Sequence, residues 1–367
     1  MGYADALGVS EADVEAILDR TERCTYGDRE FRVLPNASRG VERGTVFVDG
    51  TVVRGYPSVP RALVLEAGVR SVFDGEFAVE EKLNGYNARV ARVGEVLAFT
   101  RSGYVCPFTT DLVADSLPVA EFFDDHPELL LAGEVYGPEN PYTVHDYPGV
   151  EHAAFRVFDV RDRTSGDPLP VRERRQLCAA YDLPQVPSYG WFDPDAGPAV
   201  RAVVDELDER GREGIVMKSA DGTDLLKYTT GTANRDDLRY AFSLPFDYGR
   251  DFAFSRIVRE GFQAVERGED RERARERAHR LGEALLLPMI DAIRAVRAGE
   301  TVGERHTIRG DPMVIRETLG WLRNQGLALE IEADRTEDGE RVVEFVKVAA
   351  STRDTTEHYL DGGTVDR

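Results

Sequence analysis

Lysine is almost missing from this chain. Among 46 lysine and arginine residues, only Lys82, Lys218, Lys227 and Lys347 are lysines. Surface solubility and ion pairing are therefore left to arginine. Arginine stays protonated, whereas a lysine amine can lose its proton and act as a nucleophile. Each remaining lysine is thus a candidate for work that arginine cannot do. Cysteine is scarce too. Cys24, Cys106 and Cys178 are far apart and odd in number, which argues against a disulfide framework and against a zinc site. No run of about 18 apolar residues occurs, so no membrane-spanning helix is expected. The start, MGYADALGVSEADVEAILDR, is acidic and lacks the apolar core of a signal peptide. A reduced, cytoplasmic protein is expected.

Positive charge is short overall. The formal net charge is −21, and an excess of that size repels nucleic acid and anionic membranes. In very high salt the argument changes, because the Debye length falls to about 3 Å at 1 M. Abundant Asp and Glu, with arginine in place of lysine, is the composition expected of a protein working there. Global charge then says little about the ligand, although counterion release contributes less affinity.

The 367 residues suit two or three domains by length, and composition divides the chain into 1–75, 76–245, 246–310 and 311–367. The first part reads as a small α+β unit. It holds an acidic helix from Glu11 to Arg20, then a hairpin in TVFVDGTVVRG, where Asp49-Gly50 separates two β-branched runs. The second part is strand-rich: FAVEEKL, NARVARV, VLAFTR, LLLAGEV, AAFRVFDV, GIVMKS and LLKYTT are short runs between turn residues. Helices are expected at Leu112–Glu121, Val171–Tyr181 and Ala199–Glu209. After Pro245 the chain becomes mainly helical, with alternating charge. RERARERAHR has the look of a nucleic-acid patch but is more simply a solvated helix face. A helix over Pro312–Asn324 precedes a hairpin in LALEIEADRTEDGERVVEFVKVAAS. The end, STRDTTEHYLDGGTVDR, reads as a loose tail.

Three lysines fall in the strand-rich part. Lys82 ends a strand just before Asn84-Gly85, where glycine permits a tight turn. Glu213-Gly214 opens a strand that carries Lys218, and Lys227 follows on a plausible neighbouring strand. Two lysines on adjacent strands suit phosphate binding, and their charge lowers the pKa of a third lysine nearby. A nearby glutamate suits a hard cation completed by water and phosphate oxygens.

The strings EEKLNGYNAR, TRSGYVCPFT, AGEVYGPENPY, FRVFDVRD, REGIVMKS and LLKYTT, in that order from Glu80 to Thr230, resemble the covalent nucleotidyltransferase superfamily of polynucleotide ligases and capping enzymes. RGYPSVPRALVL, just before them, is similar to the lead-in of the archaeal homodimeric ATP-dependent RNA ligases, the closer resemblance. It implies an α+β fold: a nucleotidyltransferase (ATP-grasp-like ligase) domain of antiparallel sheets, flanked by a small N-terminal α+β domain and a mainly helical C-terminal region. It implies that Lys82 attacks the α-phosphate of ATP to form lysine–AMP, with the amine neutral at that moment. Lys218 and Lys227 would contact that phosphate. Asn84 and Gly85 would border the nucleotide, Arg101 would hold ribose or a substrate phosphate, and Glu134 would accept from a ribose hydroxyl. Phe158 would stack on adenine, opposite Val216. Glu213 would help place Mg²⁺ or Mn²⁺. The substrate implied is RNA with 5′-phosphate and 3′-hydroxyl ends. The assembly implied is a homodimer, with the helices after Asp251 as its surface. Without the resemblance, Phe158 is a core aromatic, and Glu134 and Arg101 are ion-pair partners. Two positions depart from the superfamily pattern: Asn84 replaces an aspartate, and Thr229 stands where many relatives have a second lysine. The rivals are a DNA ligase, a GTP-using capping-type enzyme, and a non-catalytic RNA-end-binding protein on the same scaffold.

Overall fold

A computed structural model describes residues 2–364. Its N-terminal part holds α1 (Tyr3–Leu7), α2 (Glu11–Leu18) and an antiparallel sheet of β1 (Glu22–Tyr26), β2 (Arg29–Val33), β3 (Val46–Val48) and β4 (Thr51–Val53), in the order β1-β2-β3-β4. Ser10 caps α2 by accepting from the Asp13 N–H at 3.2 Å. Asp49 and Gly50 both take positive φ, 48° and 75°. That is the turn whose twist matches a two-residue hairpin.

The central part runs α3 (Leu65–Val72), β5 (Phe77–Lys82), β6 (Tyr86–Val93), β7 (Glu95–Thr100), α4 (Pro107–Ser116), α5 (Val119–Asp125), β8 (Leu129–Tyr136), β9 (Ala154–Asp162), α6 (Val171–Ala180), β10 (Ser188–Phe192), α7 (Gly197–Glu209), β11 (Gly214–Ser219) and β12 (Leu225–Thr229). These strands form two antiparallel sheets, β10-β5-β11-β12 and β7-β6-β8-β9. The first lays Phe77, Val79, Ile215 and Met217 against Leu65 and Val69 of α3 and Val200 and Val204 of α7. The second buries Val90, Leu131 and Val157 under Val113, Phe122 and Cys178 of α4, α5 and α6. Its other face carries Ala91, Leu97 and Phe99 against Phe31, Val46 and Val53 of the N-terminal sheet.

The expected helix over Leu112–Glu121 is in fact two. Pro118 bars Leu117 from helical backbone, and Leu117 is extended at φ −132°, ψ 150°. Strand β10 was not expected; its Gly190 lies at a register shift against β5.

The C-terminal part holds α8 (Gly231–Ser243), α9 (Arg250–Glu266), α10 (Arg271–Arg297), β13 (Gly303–Gly310), α11 (Pro312–Asn324), β14 (Leu329–Glu337), β15 (Glu340–Val348) and α12 (Ala350–Leu360), with a sheet ordered β13-β15-β14. The basic-looking RERARERAHR starts α10, whose Asp270 caps it. Its Arg277 is buried on Glu260 at 2.5 Å and on Glu269. β13 is polar, GERHTIRG, with only His306 and Ile308 buried, so no alternation announced it. The tail is likewise corrected. Residues 350–360 form α12, while 365–367 lie outside the described residues. This helix buries Thr352 and Thr356 rather than leucines. Thr352 donates its N–H to Asp247 at 2.8 Å and accepts the Phe246 N–H at 3.2 Å. A stripe of threonines gives no apolar period to read.

At Gly133, on β8, a Cβ would lie 2.2 Å from the buried Phe155 ring and 2.6 Å from the Arg156 carbonyl oxygen. Gly133→Ala should therefore lower stability by about 1–3 kcal/mol, as overpacking does. Gly282→Ala on exposed α10, with nothing within 4 Å, should be neutral or raise the melting temperature. Thermal unfolding of the pair checks the sign; equal shifts would refute the packing argument.

Candidate active site

Alternation along the first central sheet decides which side chains meet. Residues of one parity face α3 and α7. Those of the other parity are Glu80 and Lys82 on β5, Val216 and Lys218 on β11, and Lys227 on β12. The register pairs Glu80 with Val216, Val216 with Lys227, and Lys82 with Gly214. Three of the four lysines thus share one face of one sheet. Lys82 ends β5, and its Nζ donates to Glu213 Oε2 at 2.6 Å, with both side chains largely buried. After Lys82 the chain turns onto the second sheet. A Cβ at Gly85 would lie 2.1 Å from the Val135 carbonyl oxygen, so only glycine lets the strands approach there.

The second sheet supplies the opposite wall. Asn87 and Glu134 are register partners on β6 and β8, and Arg101 follows β7. Phe158 is there because of a β-bulge. Ala132 pairs with Asp159 and Gly133 with Val157, leaving Phe158 unpaired between them. A bulge re-aims the extra side chain, and the Phe158 ring lines the cleft. It sits edge-on to Tyr56 at 5.2 Å. Its carbonyl, freed from the ladder, accepts from both Arg174 and Lys218. The resulting cleft, open to solvent, has a volume of about 730 Å³ and is lined by Val216, Phe158, Lys82 and Lys227 among others.

Charge in the cleft is finely divided. Burial pushes the Glu134 carboxyl up to about 8, against the pull of Lys82 and Arg101. Burial also pulls Lys227 down to about 8, helped by Arg61, Lys82 and Arg101. Beneath them Lys218 is fully buried, 3.3 Å from Glu80. Burial alone would raise Glu80, but Lys218 and Arg174 outweigh it and hold the carboxyl below its usual range. Among the described residues no group of three or more His, Cys, Asp or Glu is gathered to hold an ion. A divalent cation beside Glu213 would take its other ligands from phosphate and water, a donor set that suits Mg²⁺.

Of the candidate residues, Lys82, Arg101, Glu134, Phe158, Val216, Lys218 and Lys227 line this one cleft. Glu213 joins them through Lys82. Asn84 does not line it: its side chain turns into a neighbouring cleft, 3.4 Å from His145, and its N–H donates to the Tyr147 hydroxyl at 2.6 Å. Sequence reasoning missed Tyr56, Val59, Glu80, Asn87 and Val186, which also line the cleft. Tyr56 and Val59 lie inside RGYPSVPRALVL. That segment joins the sheet edge where Lys227 N–H donates to Pro60 O at 2.9 Å, so the string itself was the available signal. Asn87 and Glu80 share parity with Lys82 or Glu134, which a register could have supplied.

Comparison with known proteins agrees with this geometry. The RNA ligase family profile matches residues 75–229, spanning both central sheets. A second profile, the C-terminal region of ligase Pab1020, matches residues 240–363. An uncharacterized protein of Methanocaldococcus jannaschii is 41% identical over 98% of this chain and 95% of its own length. A solved archaeal ATP-dependent RNA ligase is 38% identical and superposes with a TM-score of 0.91 over 99% of this chain and 98% of that one. A candidate ATP-dependent DNA ligase of Aquifex aeolicus is 27% identical, with a TM-score of 0.90 over 97% of this chain and 100% of its own. With both sheets of the cleft inside the matched profile and relatives aligned along nearly the whole chain, this protein belongs to the RNA ligase family.

Proposed function

We propose that the protein is an ATP-dependent RNA ligase, joining an RNA 5′-phosphate to a 3′-hydroxyl through a lysine–AMP intermediate. The observation that carries the reading is Lys82, held 2.6 Å from the Glu213 carboxylate at the head of a cleft that has Lys227 and Lys218 on the same sheet face. In the first step the Lys82 Nζ lone pair bonds to the α-phosphorus of ATP. The bond to pyrophosphate breaks, and pyrophosphate leaves with its electron pair. Glu213, 2.6 Å away, would take the amine proton. In the second, an RNA 5′-phosphate oxygen attacks the same phosphorus, the P–N bond breaks, and Lys82 is reprotonated. In the third, the 3′-hydroxyl oxygen bonds to the RNA 5′-phosphorus, AMP departs with the bridging oxygen, and the hydroxyl proton passes to solvent. The cleft cations offset charge on the phosphoryl groups. Adenine fits between Phe158 and Val216. Glu134 and Arg101 face the ribose and phosphate side. Mg²⁺ or Mn²⁺ at Glu213 would supply further charge neutralisation.

The division at 75, 245 and 310, a cytoplasmic setting and a high-salt working range belong to the same proposal, the last supported by four lysines against a net charge of −21. So does a homodimer. Phe254 and Val265 are 67% and 82% exposed and fall on one stripe of α9 with Val258 and Phe262, while Leu286 and Leu287 are exposed on α10. A two-fold contact needs such a self-complementary patch.

Purified protein given α-labelled ATP, a divalent metal and high salt should acquire label, and Lys82→Arg should acquire none. The label should discharge onto 5′-phosphorylated RNA. Label from GTP instead would make it a capping-type enzyme, discharge onto DNA ends alone would favour the Aquifex-like DNA ligase reading, and no label in folded protein would leave only RNA-end binding.

Lys227 gives a pH signature. With its folded pKa near 8, it is a cation below that pH and neutral above it. Non-covalent ATP affinity, measured by calorimetry in Lys82→Arg, should weaken as pH rises through about 8, by at most about tenfold per pH unit. Glu134, pushed up to about 8 by burial, gains negative charge over the same range, so the comparison is made with Glu134→Gln also present. Adding Lys227→Arg there should flatten the profile, and a slope that persists would remove Lys227 from phosphate binding.

Light scattering should report two chains per particle. Phe254→Asp with Val265→Asp should give one chain and leave self-adenylylation within a few-fold; a dimer that survives both would move the contact elsewhere.

A further inference from the structure

Beside the nucleotide cleft lies a larger one, of about 1160 Å³, that none of the lysine chemistry uses. The two share a rim: Leu83 lines the first and Asn84 the second, so the second opens one residue beyond the Lys82 turn. Its walls come from the central domain, α8, α9 and β13. They are rich in rings. Tyr240 and Tyr248 meet at 5.6 Å, and Tyr248 and Phe252 at 5.1 Å. The Arg256 guanidinium lies 3.4 Å from the Phe252 ring centroid and is fixed by Asp237 at 2.8 Å. Flat rings with an arginine plane among them are what unpaired nucleobases stack on.

The charges select which RNA end enters. Asp236, Asp237 and Glu304 line the cleft, and Glu304 is held strongly acidic, near 2, because His306 and Lys347 outweigh its burial. The chain's one lysine near this wall, Lys347, is already engaged by Glu304 at 3.5 Å. Arg256 and Arg305 also line it, but each is already paired with a carboxylate, Asp237 at 2.8 Å and Glu332 at 3.2 Å. A 5′-phosphate with its two negative charges would therefore meet carboxylates and no unpaired lysine or arginine among the lining residues. A 3′ end brings neutral hydroxyls, which carboxylates and the His145 imidazole at the shared rim can hydrogen-bond.

Resting on the ligase reading above, we propose that this aromatic cleft receives the 3′-terminal nucleosides of the acceptor RNA strand, stacking them on Phe252, Tyr248 and Tyr240 and leading the hydroxyl over Asn84 to the activated phosphate. The test uses the full-length protein, a 5′-adenylylated RNA donor with a blocked 3′ end, and an acceptor RNA with a 5′-hydroxyl. Phe252→Ala and Tyr240→Ala should each raise the acceptor KM in sealing roughly ten- to a hundred-fold, the scale of losing one stacked base. Label uptake from ATP and AMP transfer to a 5′-phosphorylated donor should stay within twofold, and these also report folding. Phe252→Trp should restore the acceptor KM. Acceptor KM values within twofold of wild type in both alanine variants would overturn the proposal, as would a loss that falls on the donor. Wild-type protein that takes no label from ATP would be a different failure, that of the ligase reading itself.

Discussion

Glu80 and Arg174 are each about 1% exposed and are paired with each other, and the whole cleft is hung on that pair. Arg174, on α6, also donates to the Phe158 carbonyl. Lys218 reaches the same carbonyl from β11 and faces Glu80 at 3.3 Å. Arg175 adds a second guanidinium to Glu80 at 2.8 Å. Four charges and one freed carbonyl thus tie β5 and β11 of one sheet to β9 of the other. Withdrawing such ions from water costs several kcal/mol each, and only close, complementary geometry offsets it. Removing one partner would leave an uncompensated buried charge, so the pair tolerates little change. What it secures is position. The bulge that turns Phe158 into the cleft and the strand that carries Lys218 are held by the same knot.

This arrangement gives Lys218 and Lys227 different environments. Lys218 is buried and committed to Glu80 and a carbonyl, so its charge acts from beneath the cleft floor. Lys227 is partly desolvated, has no carboxylate partner among the ion pairs of the described residues, and is pulled down to about 8 by burial. It can answer directly to an arriving phosphate. Lys82 differs again, because its partner is the Glu213 carboxylate at 2.6 Å. Identical side chains on one sheet face therefore differ by burial and nearest neighbour, and under the proposed ligase chemistry they would serve as a fixed field, a responsive cation and a nucleophile.

Much of the site was legible because it is built on strands. Period-two alternation in FAVEEK, GIVMKS and LLKYT puts Glu80, Lys82, Val216, Lys218 and Lys227 on one face once register is known, and the scarcity of lysine marked three of them in advance. Asp49-Gly50 and Pro312–Asn324 were equally plain, since turn chemistry and capping are local. The bulge at Phe158 was not legible: one extra residue in a ladder depends on the partner strand, and FRVFDV alternates well enough without it. Asn84 turned away for a similar reason, since Tyr147 and His145, about 60 residues on, decide where its turn points. β13 and α12 escaped because β13 buries one histidine beside a single isoleucine and α12 buries threonines, too little apolar pattern to read.

An acidic chain that handles RNA must bind through contacts that survive its own field. At a net charge of −21, long-range attraction is absent, and in strong salt it would be screened within a few ångströms anyway. Affinity then has to come from short-range terms: stacked rings, desolvated cations and hydrogen bonds in clefts. Both clefts have that character, and the four lysines sit where they serve it. Three line the first cleft. The fourth, Lys347, lies against Glu304 and over the Tyr142 ring, and His306 of β13 reaches the Asn140 carbonyl at 3.1 Å beside it. The C-terminal sheet is thereby docked onto the 140–147 segment that carries His145 and Tyr147 to the Lys82 turn. A compact ammonium suits each of these four confined sites better than a broad guanidinium fork, whereas the open surface takes arginine without loss. Under the proposed ligase chemistry, the few lysines this chain keeps are those whose size or ability to lose a proton the reaction would require.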